Sequence, residues 1–366
     1  MREPGDPPPV PAREKVPVRV GPRGARSRYN SHVRAATIYD VARLAGVSHQ
    51  TVTRFLHGYQ GIRPETRSRV EGAIAELDYR PNGAARFLRS RTTNRIGVLA
   101  DRIVESGPAR ILAGASDLAR ERGYVLDIAV AAGGSTDSVA ASLAMITEHQ
   151  VAGILATAQT QVVLEEMHRL ALSIPLVVGS DVGTTQDGRS LNESAGRCAA
   201  DHLLDLGHRR IGYVAGPELW LVAQERERGF TERVVERGGV LVWRRHGDWS
   251  SASGHAAWSG LTADERRVTA VGAANDSMAI GVVSAADEQH LRVPHDLSVV
   301  GTDDLPEARY VLPSLSTVAL DFEGEGRLVL DALIAKIEGE DVPDPALLTP
   351  PRVIARASSA PLVAGV

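Results

Sequence analysis

The sequence predicts two unlike parts in one chain: an all-α head of short helices ending in a basic hinge segment, then an α/β core of two lobes, each a doubly wound parallel sheet. Three observations predict it. Between Thr37 and Arg91, short apolar faces are separated by Gly and Pro at helix-turn spacing. From Arg95 onward, short apolar runs alternate with helical stretches, the pattern of parallel strands joined by helices. The charge is also uneven. Residues 1–95 carry 18 Lys and Arg against 8 Asp and Glu, and the remainder carries 23 against 37, so a net charge of −4 conceals a basic end on an acidic body.

In the head, Thr37 with Asp40 three residues on fits a capping box at the start of a helix reaching Ala45. Ile38, Val41 and Leu44 read as its apolar face. Gly46 can adopt the positive φ of a sharp turn, Val47 plugs the corner, and Ser48 is the expected N-cap of a second helix to about Leu56. Val52 and Phe55 are expected inside; His49, Gln50, Thr53 and Arg54 are expected outside. Two helices joined by a short Gly-containing turn form a helix-turn-helix. The outward residue types suit base edges, because Gln can pair with adenine, Arg can grip guanine O6/N7, and His or Thr can reach either. Pro64 suits the first turn of a third helix over 65–77, with Val70, Ile74 and Leu77 inward.

Tyr79-Arg80-Pro81-Asn82 then breaks the chain. Segment 83–90 is too short to hold a helix alone, since isolated helices below ~12 residues are marginal in water. It is expected to fold only with DNA and a partner copy present. Arg86, Arg89 and Arg91 supply charge for phosphates, and Leu88 is an apolar side chain suited to wedging between base steps from the minor groove. The runs TIYDVARLAGVS, TVTRFL, PETRSRV and LDYRPNGAARFL resemble the DNA-binding head of the LacI/GalR family of bacterial transcription regulators. The resemblance implies base reading by His49, Gln50 and Arg54, and minor-groove contacts by Ala85 and Leu88. With Thr37, Tyr39, Ser48, Thr51 and Asn82 these are the candidate DNA-binding residues. Thr53 and Arg63 depart from the family's usual Ser and Ser/Thr.

In the body, strands are expected at 96–100, 124–131, 151–157 and 175–179, with helices at 108–122, 135–149 and 161–171. A second series begins with a helix at 192–206. Its strands are expected at 210–215, 240–245, 270–274 and 297–301, its helices at 222–237, 251–261 and 277–289, and Phe322 opens the last helix. Ligands of such folds sit beyond the carboxyl ends of the strands. Asp101, Ser180, Asp181, Arg226, Trp249, Asn275, Asp303 and Phe322 fall there, and acids, amides and a guanidinium beside aromatic rings suit a sugar. Singly, Asp276 and Asp303 also read as N-caps. The resemblance continues from IGVL to SVVGTDD and ALDFEGEG, and implies a periplasmic-binding-protein-like core. It matches Asp101, Arg226, Trp249, Asn275, Asp303 and Phe322 to effector contacts, and Ile111 and Pro108 to apolar positions at the mouth. Ser180, Thr302 and Val222 depart from the family's residues, and Trp220 is a candidate extra wall.

The expected divisions are a disordered Pro/Arg-rich extension (1–36), the helix-turn-helix domain (37–81), the hinge (82–94), the core (95–358) and a tail (359–366). A lone Cys198 excludes internal disulfides and suits a reducing cytoplasm. No run of 18 apolar residues and no charged-then-apolar leader is present, so neither a membrane span nor export is expected. No nucleophile elbow, phosphate loop or metalloprotease helix motif occurs, so no catalytic residue, metal or cofactor is expected. The expected function is a sequence-specific transcription regulator, a repressor released by a sugar-like effector, with a corepressor-dependent regulator, an activator or a DNA-independent sugar-binding protein as alternatives. Its expected partners are a near-palindromic double-stranded operator, a sugar or sugar derivative, and a second copy of itself, because two heads on such an operator need two-fold symmetry.

Overall fold

The chain divides between Ser90 and Arg91 into two units, and the computed structural model describes residues 36–56, 59–79, 93–132, 134–157, 160–170, 173–179, 188–341 and 348–363. The hinge segment 83–90 lies outside the described residues.

In the first unit, α1 (Ile38–Ala45) starts with both halves of a capping box: Asp40 N–H donates to Thr37 Oγ1 (3.3 Å) and Thr37 N–H donates to Asp40 Oδ2 (2.9 Å). Gly46 closes it at φ 64°. Next come α2 (His49–Leu56) and α3 (Pro64–Glu76), the latter with Pro at its start and no side-chain cap from Arg63. The three helices share one small core of Val41, Ala42, Ala45, Val52, Val70 and Ala73. Two expectations are corrected here. Leu44 is 46% exposed, and Ala42 and Ala45 take its place. At 100° per residue, the sixth step from Ile38 lands roughly 240° round the helix, off the stripe that Val41 and Ala45 occupy. Thr53, expected outside, is half-buried.

The second unit holds two sheets. The first contains β1 (Arg95–Ala100), β2 (Val125–Val130), β3 (Gly153–Ala156) and β4 (Leu176–Val178), all parallel in the order β2-β1-β3-β4. The second contains β5 (Arg210–Ala215), β6 (Val240–His246), β7 (Ala270–Ala273), β8 (Ser298–Thr302), β9 (Ser316–Ala319) and β10 (Arg352–Ile354), in the order β10-β9-β8-β7-β5-β6, with only β10 antiparallel. Helices α4 (Ser106–Arg122), α5 (Thr136–Glu148) and α6 (Gln161–Leu170) follow strands of the first sheet; α7 (Leu191–Asp205), α8 (Leu221–Glu236), α9 (Ser251–Ser259) and α10 (Asp276–Glu288) belong to the second. Both expected strand–helix series are present, with ends moved by at most two residues. The strands β9 and β10 were not expected.

The last helix, α11 (Phe322–Glu338), follows β9 of the second sheet but packs on the first lobe. Its Val329, Leu330, Leu333 and Ile334 share a core with Ile96, Val98, Leu112 and Leu118. Small residues permit this. A Cβ added at Gly326 would lie 2.0 Å from the Ile111 carbonyl oxygen, and one at Gly114 would lie 2.0 Å from that of Glu323, so α4 and α11 touch backbone to backbone. Gly196 and Gly229 do the same for α7 and α8, with contacts of 2.1 Å. These two pairs set where Ile111, Phe322 and Arg226 end up. Among the described residues, no helix is long and apolar enough to cross a membrane.

Candidate functional site

The exposed face of the head begins at α2. His49, Gln50 and Arg54 are exposed, and Tyr39 of α1 stands beside His49 with ring centroids 5.2 Å apart. The Arg54 guanidinium lies over the Tyr59 ring at 5.7 Å. Ser48 Oγ accepts from Thr51 N–H (3.2 Å), and Thr37 caps α1, so these hydroxyls already serve the helix ends. Asn82, Ala85 and Leu88 lie outside the described residues. The three helices are not themselves basic: residues 36–79 hold five Arg and five acids, and the cationic surplus sits in 1–35 and 80–95.

In the second unit, a cavity of about 630 Å³ is lined from both lobes at the carboxyl ends of the strands. The first lobe supplies Gly107, Pro108 and Ile111 from α4 and Phe322 from α11. The second supplies Trp220 and Arg226 around α8, Trp249 before α9, Asn275 before α10 and Asp303 after β8. Of the expected effector residues, Ile111, Arg226, Trp249, Asn275, Asp303 and Phe322 come together here. Asp101 follows β1 but is not among the lining residues, while Ser180 and Asp181 lie outside the described residues.

Arg226 is the centre of the arrangement. Its Nε donates to Asn192 Oδ1 (2.9 Å), and its Nη1 donates to the Ala274 carbonyl (2.6 Å) and to Asp303 Oδ1 (2.8 Å). Both charged side chains are almost wholly buried. Burial pushes the Asp303 carboxyl above the usual range, and Arg226 pulls it back. Asp303 sits at φ 110°, a backbone conformation that favours glycine, so the loop is held there by its contacts. Neighbouring Asp276 is one of them. Its carboxylate accepts from Thr317 Oγ1 (2.5 Å) and Leu305 N–H (2.8 Å) and, being buried, is pushed well above the ordinary carboxylate range. Asp276 is therefore not the N-cap it resembles; Asn275 caps α10, accepting from Met278 N–H. Asn275 Nδ2 also donates to the Trp249 carbonyl (2.9 Å), securing a residue at φ 74°.

The aromatic wall is built from Trp220 and Trp249, edge to face at 6.4 Å, with the Arg226 guanidinium 5.8 Å from the Trp249 ring. Thr302 turns away, donating to the Ala273 carbonyl. Two arginines of the first lobe reach second-lobe carbonyls: Arg102 Nη1 donates to Asp248 O (3.0 Å) as well as Glu105, and Arg110 Nη1 donates to Asp303 O (3.0 Å) while pairing with Glu323. Asn192, Glu105, Glu307 and Glu325 were missed in the sequence. They lie in helix first turns and loops, where such residues usually serve as caps.

Residues 37–82 match the family described as Bacterial regulatory proteins, lacI family, and residues 200–359 match the Periplasmic binding protein-like domain. The ribose operon repressor of Haemophilus influenzae is 32% identical over 328 residues, covering 88% of this chain and 98% of that protein. The HTH-type transcriptional repressor PurR of Erwinia tasmaniensis is 34% identical over 335 residues (89% and 97%), and the lactose operon repressor of Escherichia coli 30% over 318 residues (85% and 87%). The crystal structure of the lac repressor dimer bound to operator and the anti-inducer ONPF matches with a TM-score of 0.78 at 27% identity, covering 89% of this chain and 100% of that one. A complex of the transcriptional regulator CelR with cellobiose matches at 0.63 and 28% identity, covering 88% and 99%. The chain therefore belongs to the LacI family: it is a helix-turn-helix, DNA-binding transcription repressor with a periplasmic-binding-protein-like effector domain, and not an enzyme.

Proposed function

We propose that this protein is a cytoplasmic homodimeric repressor that binds a near-palindromic operator and leaves it when a sugar-like effector enters the cavity. In this reading Tyr39, His49, Gln50 and Arg54 face the major groove, and the hinge at 82–94, with Asn82, Ala85 and Leu88, enters the minor groove. The core at 95–358 takes the effector through Arg226, Trp249, Asn275, Asp303, Ile111 and Phe322. The observation that carries it is a cavity walled by two lobes, with a buried guanidinium–carboxylate pair on one side and an indole wall beside it. Hydroxyl groups need donors and acceptors together with an apolar face to lie on, and that wall offers all three. An effector that favours one lobe angle changes the spacing of the two hinges, and a coupling of ~1–3 kcal/mol alters operator affinity roughly 5–150-fold. Related structures support the reading: the lac repressor dimer is bound to operator and an anti-inducer, and CelR is in complex with cellobiose.

The test begins with operator selection from random duplex by full-length protein, followed by fluorescence anisotropy with added sugars. Release of operator by a sugar is the expected result. A ligand that instead tightens operator binding would make the protein corepressor-dependent, and absence of any duplex preference would remove the proposal. Arg54→Ala is expected to weaken each half-site by ~1–3 kcal/mol.

A further inference from the structure

We infer that the cavity accepts an uncharged, hydroxyl-rich ligand and refuses one that carries a phosphate or carboxylate. The inference rests on reading the cavity as the effector site. Four carboxyl side chains line it, Glu105, Asp303, Glu307 and Glu325, against a single lining cation, Arg226, among the described residues; the pairs Arg226–Asp303 and Arg102–Glu105 balance two of these acids and leave no lining cation over for a ligand's anion. Arg226 is not an idle anion receptor, because Asp303 and two neutral oxygens already hold its Nη1 and Nε. The other guanidiniums near the cleft are matched as well: Arg102 to Glu105, Arg110 to Glu323 and Arg356 to Asp304. Segments 158–159 and 180–187, outside the described residues, contain no Lys or Arg in sequence.

Helix N-termini ordinarily invite anions, and several helices begin at this cavity. Acidic residues of the chain stand at three of those ends, with Asn275 supplying the cap at α10. Glu105 stands at the N-cap of α4, Asp276 in the first turn of α10, and Asp321 with Glu323 and Glu325 at α11. What remains is suited to hydroxyls. Arg226 Nη2 and Asn192 Nδ2 offer donors and Asp303 Oδ2 an acceptor, none with a hydrogen-bond partner among the described residues. An arriving phosphate, at about −1.5 to −2 charges, meets acids and no unmatched cation.

Tryptophan fluorescence tests the field without a known ligand. Trp220 and Trp249 line the cavity; Trp243 and Trp258 are buried in the second lobe and do not. In full-length protein at low salt, with each ion's quenching divided by its quenching of free N-acetyltryptophanamide, caesium is expected to quench the cavity indoles about fivefold more effectively than iodide, because acids at the cavity concentrate cations and repel iodide. Trp220→Phe and Trp249→Phe assign the signal, and Glu105→Gln with Glu307→Gln should bring iodide towards caesium. Iodide quenching equal to or above that of caesium, both being nil included, overturns the inference. A second arm compares operator release by ribose and ribose 5-phosphate, and by glucose and glucose 6-phosphate. Release by a phosphorylated member also overturns it, yet leaves the proposed repressor function standing. If no sugar of any kind releases operator, it is that function which fails, while the quenching result still reads the charge of the cavity.

Discussion

The two lobes meet the cavity with different chemistry. The second, built on six strands, brings Arg226, Asp303, Asn275 and two indoles, whereas the first, built on four, brings Gly107, Pro108, Ile111 and Phe322. Ile111 and Phe322 even belong to the apolar cluster of the second lobe rather than to the two clusters of their own. The difference separates two tasks that one pocket must perform. On the proposed function, directional groups of the larger lobe recognise the ligand, and the mostly apolar face of the smaller lobe buries surface against it. The first lobe also brings Glu105 and Glu325 to the wall, and its Arg102 and Arg110 reach backbone carbonyls across the cleft.

The sharpest way to break this comparison is to remove the guanidinium. Arg226→Met leaves Asp303 buried without its cation, and loss of one partner of such a pair costs ~3–5 kcal/mol. Urea denaturation should register that loss, and Arg226→Met/Asp303→Leu should recover much of it. A single variant as stable as the parent would mean that the pair does not organise the second lobe. Next is Gly326→Ala, which drives a methyl into the α4 backbone and should cost ~1–3 kcal/mol by overpacking. Because it displaces Ile111 and Phe322 at the cavity wall, it should also weaken ligand affinity and blunt operator release; unchanged affinity would remove these two residues from the effector site.

A slope distinguishes the third. The Asp276 carboxyl is raised by burial first and by Asp303 second. The folded state therefore binds its proton more tightly than the unfolded state does, and this group's contribution to stability is lost as pH rises from the ordinary Asp range. Asp276→Asn should flatten that fall relative to the parent in denaturation measured from pH 4 to 8, and parallel curves would contradict it. The smallest effect is expected from Arg102→Ala. Its partly exposed contacts with Glu105 and Asp248 should contribute ~0–1 kcal/mol to stability. The ligand concentration for half release should move instead, and an unchanged midpoint would leave Arg102 without a part in closure.

Much of the cavity was legible because its residues fall where strands end. Trp249, Asn275, Asp303 and Phe322 each follow a strand or open a helix, Arg226 lies a turn into α8, and strand polarity brings such positions together. Asp101 satisfies the same rule and does not line the cavity, since the rule gives an edge rather than a direction. The strands β9 and β10 escaped notice for a different reason. Ser316 and Thr317 are polar yet buried, and are satisfied by distant groups, Ser316 N–H by Ser358 Oγ and Thr317 Oγ1 by Asp276. A window that scores apolar runs passes over them. In the head, Leu44 was misassigned because a large aliphatic side chain outweighed two alanines at the better-placed positions.

The sequence by itself determined the kinds of element and their order, because capping residues, turn glycines and apolar periodicity act over a few neighbours and need no tertiary partner. It also determined the separation of a cationic end from an acidic body. Only the tertiary structure decided that α11 completes the lobe it does not follow in the chain, that Asp303 grips Arg226 across 77 residues and that Arg110 grips Glu323 across 213. Contacts of that range follow from how helices and sheets pack, where a backbone can approach closely and a buried charge must find its opposite. No local stretch of sequence contains that information.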